Sequence, residues 1–286
     1  MIPVRQMSGK LEQLEISISE ALKEEVKVVI VHDKVEELTE IELLQITNRI
    51  NHPNLELISG SFNSPGFARN AGMKHVNTDW VIFWDADDFP IVANFLELYH
   101  VVVNNSSEIG VGNFQELDFS KSNTLTYPIN RRQDLNSIAA YPGIWRMIFR
   151  SKLILENPFT SLLLAEDQVL LSDIRFATRK ITYTDSTVYN YVSGNPDSLT
   201  GKKRRIEDLV KSTSRIMLNN RNEANIHQLE FNWIMLAKQS MSLIKFGTLR
   251  QKYIGFRVLY WFFLRSPRVA RQHVLRHLLL KRLFHE

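Results

Sequence analysis

The chain has 286 residues, 44% hydrophobic and 23% charged, proportions that place it among globular proteins long enough to bury a full core. It has no cysteine, which excludes a disulfide framework and Cys-ligated zinc or iron–sulfur sites and fits a reducing compartment. The formal charge of +4 is uneven: from Lys245 onward there are ten of the 35 basic residues and one of the 31 acids, so the body is left with 25 basic and 30 acidic residues.

Met1 to Val4 reads as the stub of a first strand, with Pro3 near its end. Leu11, Leu14, Ile18 and Leu22 recur at helical spacing, which predicts a helix over 8–23 capped by Ser8. Val26 to Val31 is a β-branched run and reads as a strand stopping at His32-Asp33-Lys34. A helix is predicted between Val35 and Ile50, then a short strand from Leu55 to Ser59. This alternation argues for a mainly parallel sheet with helices on its faces. Ser64-Pro65 is a good helix start, a cap followed by proline at the first helical position. Gly66 and Gly72 allow close approach of backbone or ligand, and Arg69, one turn in, is placed to contact a diphosphate.

Trp80 to Asp88 is the stretch around which the rest is organised: five apolar residues end abruptly in Asp85, Asp87 and Asp88. Such a run reads as a buried strand, and the C-terminal edges of α/β sheets are where ligands bind. If the backbone stays extended through Asp87, then Asp85 and Asp87 point the same way. Two carboxylates aimed at one spot repel unless a cation lies between them, and oxygen ligands suit magnesium or manganese shared with substrate phosphates. The competing reading is a strand-to-helix loop in which Asp88 caps the helix near Pro90.

Further on, a helix is predicted over 91–104, strands over 109–119 and 124–127 around a turn at 120–123, and a helix over 162–176 with Glu166 and Asp167 near its start. Carboxylates are favoured at that end of any helix, so these two acids alone need no function. Arg131-Arg132 reads as solvated surface with a lesser claim on phosphate or acceptor. Beyond Thr200 the composition changes: polar and basic helices are predicted over 202–220 and 226–246, an all-round apolar segment over 253–264, and a final helix restarting at Ser266-Pro267. No stretch approaches the roughly 20 apolar residues of a membrane span, and no N-terminal segment resembles a signal peptide.

Ser-Pro-Gly-Phe-Ala-Arg-Asn-Ala-Gly over 64–72, followed at the same spacing by Trp-Val-Ile-Phe-Trp-Asp-Ala-Asp-Asp, resembles the pattern of family 2 glycosyltransferases of the GT-A fold. Ile2-Pro3-Val4, Val29 to Asp33, Trp145 to Leu153, Ala165-Glu166-Asp167 and Tyr189 to Thr200 are similar to further landmarks of that family. Two positions depart from it: His32 stands where an acid is usual, and Lys34 where a glycine is. The resemblance implies a GT-A catalytic domain over 1–200, leaving 201–286 as a basic helical C-terminal region.

It also implies an inverting, metal-dependent transfer of a sugar from a nucleoside-diphosphate sugar, first of all a UDP-sugar, to a saccharide or lipid-linked saccharide, as in synthesis of bacterial surface polysaccharide or glycolipid. Residue by residue, Asp167 matches the base and Glu166 its positioning neighbour. Asp87 and Asp85 match the ligands of Mn2+ or Mg2+, and Pro3, Asp33, Arg69, Asp85 and Trp145 the substrate contacts. Two other readings compete: a non-catalytic carbohydrate-binding or scaffold protein, which predicts broken acids, and a nucleotidyltransferase, which predicts a Gly- and Arg-rich loop after the first strand. The expected location is cytoplasmic, with the basic tail peripheral on the inner face of the membrane or in a homo-oligomer contact, and without nucleic acid.

Overall fold

The computed structural model describes residues 1–118, 124–125, 134–193 and 206–283. Arg131, Arg132, the predicted turn at 120–123, residues 194–200 and the start of the helix predicted from Lys202 lie outside the described residues. The chain divides into two compact units, one of Met1–Arg131, Ile144–Leu163 and Lys180–Lys203, the other of Arg132–Gly143, Leu164–Arg179 and Arg204–Glu286.

The first unit is a mixed α/β layer. Its parallel half has the order β1-β2-β3, with β1 Ile2–Val4, β2 Val28–Asp33 and β3 Leu55–Gly60. Every residue of β2 is buried, so both of its alternating faces are covered, as the β-branched run predicts. The other half runs β4-β8-β6-β9-β5, from β4 Trp80–Ile82, β5 Phe89–Pro90, β6 Ile109–Asp118, β8 Met147–Arg150 and β9 Ile181–Ser193, with β7 Thr124–Leu125 on β6. The β6–β9 pair is parallel and the rest of this half is antiparallel. Met1 joins the halves: its nitrogen donates to the Ile82 carbonyl (2.9 Å), and its carbonyl accepts from the Trp84 N–H (3.0 Å).

Helices α1 Glu12–Lys23, α2 Glu37–Ile50, α3 Pro65–Met73 and α4 Val92–Asn104 pack on these strands. Ser8 is not the cap of α1. Its hydroxyl donates to Glu36 Oε1 (3.0 Å), and the helix starts at Glu12 with no side-chain cap. Ser64 does cap α3, accepting from the Phe67 N–H at 3.1 Å.

Helix α3 is held on the segment after α6 Ser151–Glu156 by three motif positions. Asn70 both donates to the Phe159 carbonyl (2.8 Å) and accepts from the Phe159 N–H (2.9 Å). Arg69 lies over the Phe159 ring at 5.4 Å. A methyl added at Gly66 would sit 2.2 Å from the Thr160 carbonyl oxygen, so the close approach this glycine permits is that of protein backbone. Gly66→Ala is therefore expected to destabilise the fold by about 1–3 kcal/mol through overpacking. Urea unfolding checks it, and an unchanged midpoint would show that the 159–160 segment yields freely.

The second unit is helical: α5 Leu135–Ala140, α7 Glu166–Asp173, α8 Ile206–Arg221, α9 Ile226–Phe246, α10 Leu249–Arg265 and α11 Arg268–Leu283. Helix α9 is its centre, with α5, α8, α10 and α11 packed around it. It is capped by Asn225, whose side chain accepts from the N–H groups of His227 and Gln228. A buried polar chain sets its register on α8: Gln239 accepts from Thr213 (2.7 Å) and donates to Ser212 (2.7 Å) and Gln168 (2.8 Å).

Candidate active site

Strand β4 ends at Ile82, five residues short of the extension considered from the sequence, and the chain turns at Ala86–Asp87. The alternation that would aim Asp85 and Asp87 alike therefore does not apply. Nor does Asp88 cap α4, which follows Ile91 without a side-chain cap. Asp88 Oδ1 instead accepts from the Val192 N–H at 2.7 Å, and the Tyr189 hydroxyl accepts from the Asp85 N–H at 2.9 Å while lying against the Asp88 carboxyl. One backbone N–H and one side-chain carboxylate of the acidic turn are thus held by β9, 104 residues away in sequence.

Two of the three carboxylates, Asp87 and Asp88, are poorly hydrated. Burial, then the charge of Asp85, pushes the Asp87 carboxyl up to about 6. Burial, then the charges of Asp85 and Asp87, holds Asp88 well above the usual carboxylate range. Buried Arg69 offsets part of this charge, its guanidinium donating to Asp85 Oδ1 at 3.0 Å. The guanidinium that the sequence expectation directs at a diphosphate is thus bonded to Asp85 at the acidic turn.

At the far end of β2, Asp33 is buried, and its Oδ1 accepts from the N–H groups of Phe62 (2.7 Å) and Asn63 (3.1 Å). Its Oδ2 faces Arg5 at 3.6 Å. Asp33 thus shapes the loop after β3. His32 beside it is fully buried, and burial lowers its pKa below the ordinary value, keeping the ring neutral at pH 7. Pro3 lies in β1 opposite Val31.

Trp145 is buried in an aromatic stack, 4.7 Å from Tyr189 at 21° and 5.4 Å from Tyr191 at 8°, with Phe114 edge-on at 4.7 Å. Arg146 next to it is fully buried over the Phe114 ring at 5.1 Å, and burial lowers its pKa to about 9. Tyr189 links this wall to the acidic turn. In the sequence it stands only at the head of Tyr189 to Thr200, a stretch similar to a family landmark, and its alternation with Tyr191 along β9 is the signal that could have marked it.

In the helical unit, Glu166 and Asp167 open α7. Glu166 is buried and Asp167 half-buried. The residue before them, Ala165, has φ 66° and ψ 22°, a left-handed conformation that strains a residue with a Cβ and sets the direction from which the helix starts.

A family model described as Glycosyl transferase family 2 matches residues 2–154, more than half of the chain. The chain belongs to Glycosyl transferase family 2. This match spans the α3 motif, the acidic turn and Trp145. A poly(ribitol-phosphate) beta-glucosyltransferase of Bacillus spizizenii is 24% identical over 283 residues, covering 92% of this chain and 44% of that protein. The chain thus spans less than half the length of this curated relative. Among solved structures, S. aureus TarS 1–349 in complex with UDP-GlcNAc superposes with a TM-score of 0.68 at 17% identity, over 94% of this chain and 82% of that one. The mannosyltransferase PcManGT of Pyrobaculum calidifontis, in complex with GDP-Man and Mn2+, superposes with a TM-score of 0.57 at 12% identity, over 95% and 81%. Both likenesses place this family 2 member in the GT-A fold.

Among the described residues no three His, Asp or Glu side chains are grouped as a metal cage. Asp85 and Asp87 nonetheless fit a hard divalent cation. They are oxygen donors, burial and the neighbouring charge of Asp85 raise the cost of ionising Asp87, and magnesium is commonly held by one or two carboxylates plus substrate phosphates.

Proposed function

We propose that this protein moves a sugar from a nucleoside-diphosphate sugar, a UDP-sugar, to an acceptor hydroxyl with inversion at the anomeric carbon. The observation that carries the reading is the acidic turn after β4, where Asp85 and Asp88, on either side of Asp87, are bonded to β9 and Asp85 is faced by Arg69 of the family motif. Its acids are intact, contrary to what a scaffold would need. UDP and UDP-GlcNAc are ligands of TarS, which supports the choice of donor. The Bacillus relative acts on poly(ribitol phosphate), which supports a phosphodiester-linked polyol or saccharide acceptor of the bacterial surface. The proposed catalytic span is 1–200, with 201–286 as a helical region working at the inner face of the membrane.

Asp87, with Asp85 beside it, would hold Mn2+ or Mg2+ together with the donor diphosphate. When bound, the ion supplies a Lewis acid for the charge that builds on the leaving group. Arg69 fixes Asp85 by its hydrogen bond, so the carboxylate meets the ligand without reorganising. Asp33 and Pro3 border the nucleotide and Trp145 the acceptor side. Asp167 takes the proton from the acceptor hydroxyl as its oxygen bonds to the anomeric carbon. The bond from that carbon to the diphosphate oxygen breaks on the opposite face, and Glu166 positions the reactants.

Thermal unfolding with single nucleotide-sugars tests the donor. UDP-sugars with Mn2+ are expected to raise the midpoint by several degrees at about 100 times Kd, where ligand linkage contributes about 2.7 kcal/mol. Stabilisation by nucleoside triphosphates alone would contradict the reading.

A further inference from the structure

Helix α10 carries a face with no partner among the described residues. Leu249, Tyr253, Phe256, Tyr260 and Phe263 recur at alternating steps of four and three residues and, with Leu264 one turn after Tyr260, form one stripe about 22 Å long. These side chains are between 45% and 88% exposed, whereas Gly255, Val258 and Phe262 on the opposite face are buried. Gly255 lets that buried face close on α9, since a Cβ there would sit 2.8 Å from the Ser240 carbonyl oxygen. The exposed stripe is therefore a second apolar face on a helix whose core contacts are already made.

Charge decides what would cover it. By helical geometry Arg250 and Arg257 flank the stripe on one side and Lys252 on the other. None of the three forms an ion pair among the described residues, and neither α10 nor α11 contains an acid. Two copies meeting through this stripe would set arginines and lysines against each other with no carboxylate from α10 or α11 to offset them, whether parallel or antiparallel. An anionic lipid surface meets both demands. Headgroup phosphates pair with the flanking cations, and tyrosine and phenylalanine rings settle at the boundary between headgroups and acyl chains. No helix among the described residues is long and apolar enough to cross a membrane, so the helix would lie in the plane of the surface.

We infer that the α10 stripe is a membrane-docking face that binds anionic phospholipid with its axis parallel to the bilayer. It gives the proposed membrane location a named surface, but vesicle binding is read without donor or acceptor, so its outcome is separate from that of the transferase reading. The full chain is sedimented with vesicles of phosphatidylcholine alone or mixed with phosphatidylglycerol. Binding is expected to be about tenfold or more tighter to the anionic vesicles at low salt. Phe256→Glu with Tyr260→Glu is expected to abolish it while leaving the circular dichroism and the unfolding midpoint unchanged, because both side chains project into solvent. Arg250→Gln with Lys252→Gln and Arg257→Gln is expected to remove the preference for anionic over neutral vesicles. Equal weak binding to both vesicle types, or undiminished binding by the glutamate variant, would overturn the proposal. So would a lipid-free dimer in analytical ultracentrifugation that the glutamate variant abolishes, since the stripe would then be a contact between copies.

Discussion

Asp167→Asn is expected to leave UDP-sugar affinity within a few-fold of the parent while lowering turnover at saturation about 10²–10⁴-fold, the range a positioned base contributes. The amide keeps the shape at the start of α7 but cannot take the acceptor proton. Because Glu166 is buried and Ala165 holds the left-handed turn, the helix start should survive the change. Donor binding by calorimetry and single-turnover transfer separate the two effects. A variant that loses donor affinity yet keeps its saturated rate would make Asp167 a binding residue.

Asp87→Asn is expected to have two effects of opposite sign. Transfer should fall by about 10²–10³-fold or more, because the carboxylate proposed to hold the divalent ion at the diphosphate is gone. Stability of the metal-free protein should rise at neutral pH. A carboxyl raised from 3.8 to about 6 on folding favours the fold fully below pH 3.8, and that contribution is lost as pH rises through about 6. Above pH 6 the ionised Asp87 therefore costs the parent on the order of 1–3 kcal/mol that the amide does not. Urea unfolding in chelator should show the variant more stable at pH 7.5 and converging with the parent near pH 4. Divalent ion with UDP should stabilise the parent and not the variant. Full activity of the parent in excess chelator, or equal stability of both proteins at pH 7.5, would contradict these assignments.

Much was legible where the signals are local. In the first unit the β-branched run gave β2 and the Ser-Pro start gave α3 with its cap; in the second, the helix predicted over 226–246 is α9. What was not legible depends on contacts distant in sequence. Nothing near Asp85 says that Tyr189 takes its N–H or that Val192 takes the carboxylate of Asp88, yet these bonds accompany an acidic turn where an extended strand had been considered. Ser8 looks like a cap until Glu36, 28 residues on, accepts its hydroxyl. Strand β9 begins at Ile181, eight residues before the stretch singled out, because its alternation breaks where the register against β6 shifts between Val111 and Asn113. The α3 motif was recognisable, but part of its meaning was not: Gly66 and Asn70 serve the 159–160 segment, and Arg69 serves Asp85.

The most direct measurement of the central assignment is product analysis with a panel of nucleotide-sugars, Mn2+ and a poly(polyol phosphate) acceptor. The expected result is release of nucleoside diphosphate in equal amount to sugar transferred, with the anomeric configuration opposite to that of the donor. Release of pyrophosphate would make the protein a nucleotidyltransferase, retained configuration would remove the role given to Asp167, and tight donor binding with no turnover on any acceptor would leave it a binding protein on a GT-A fold.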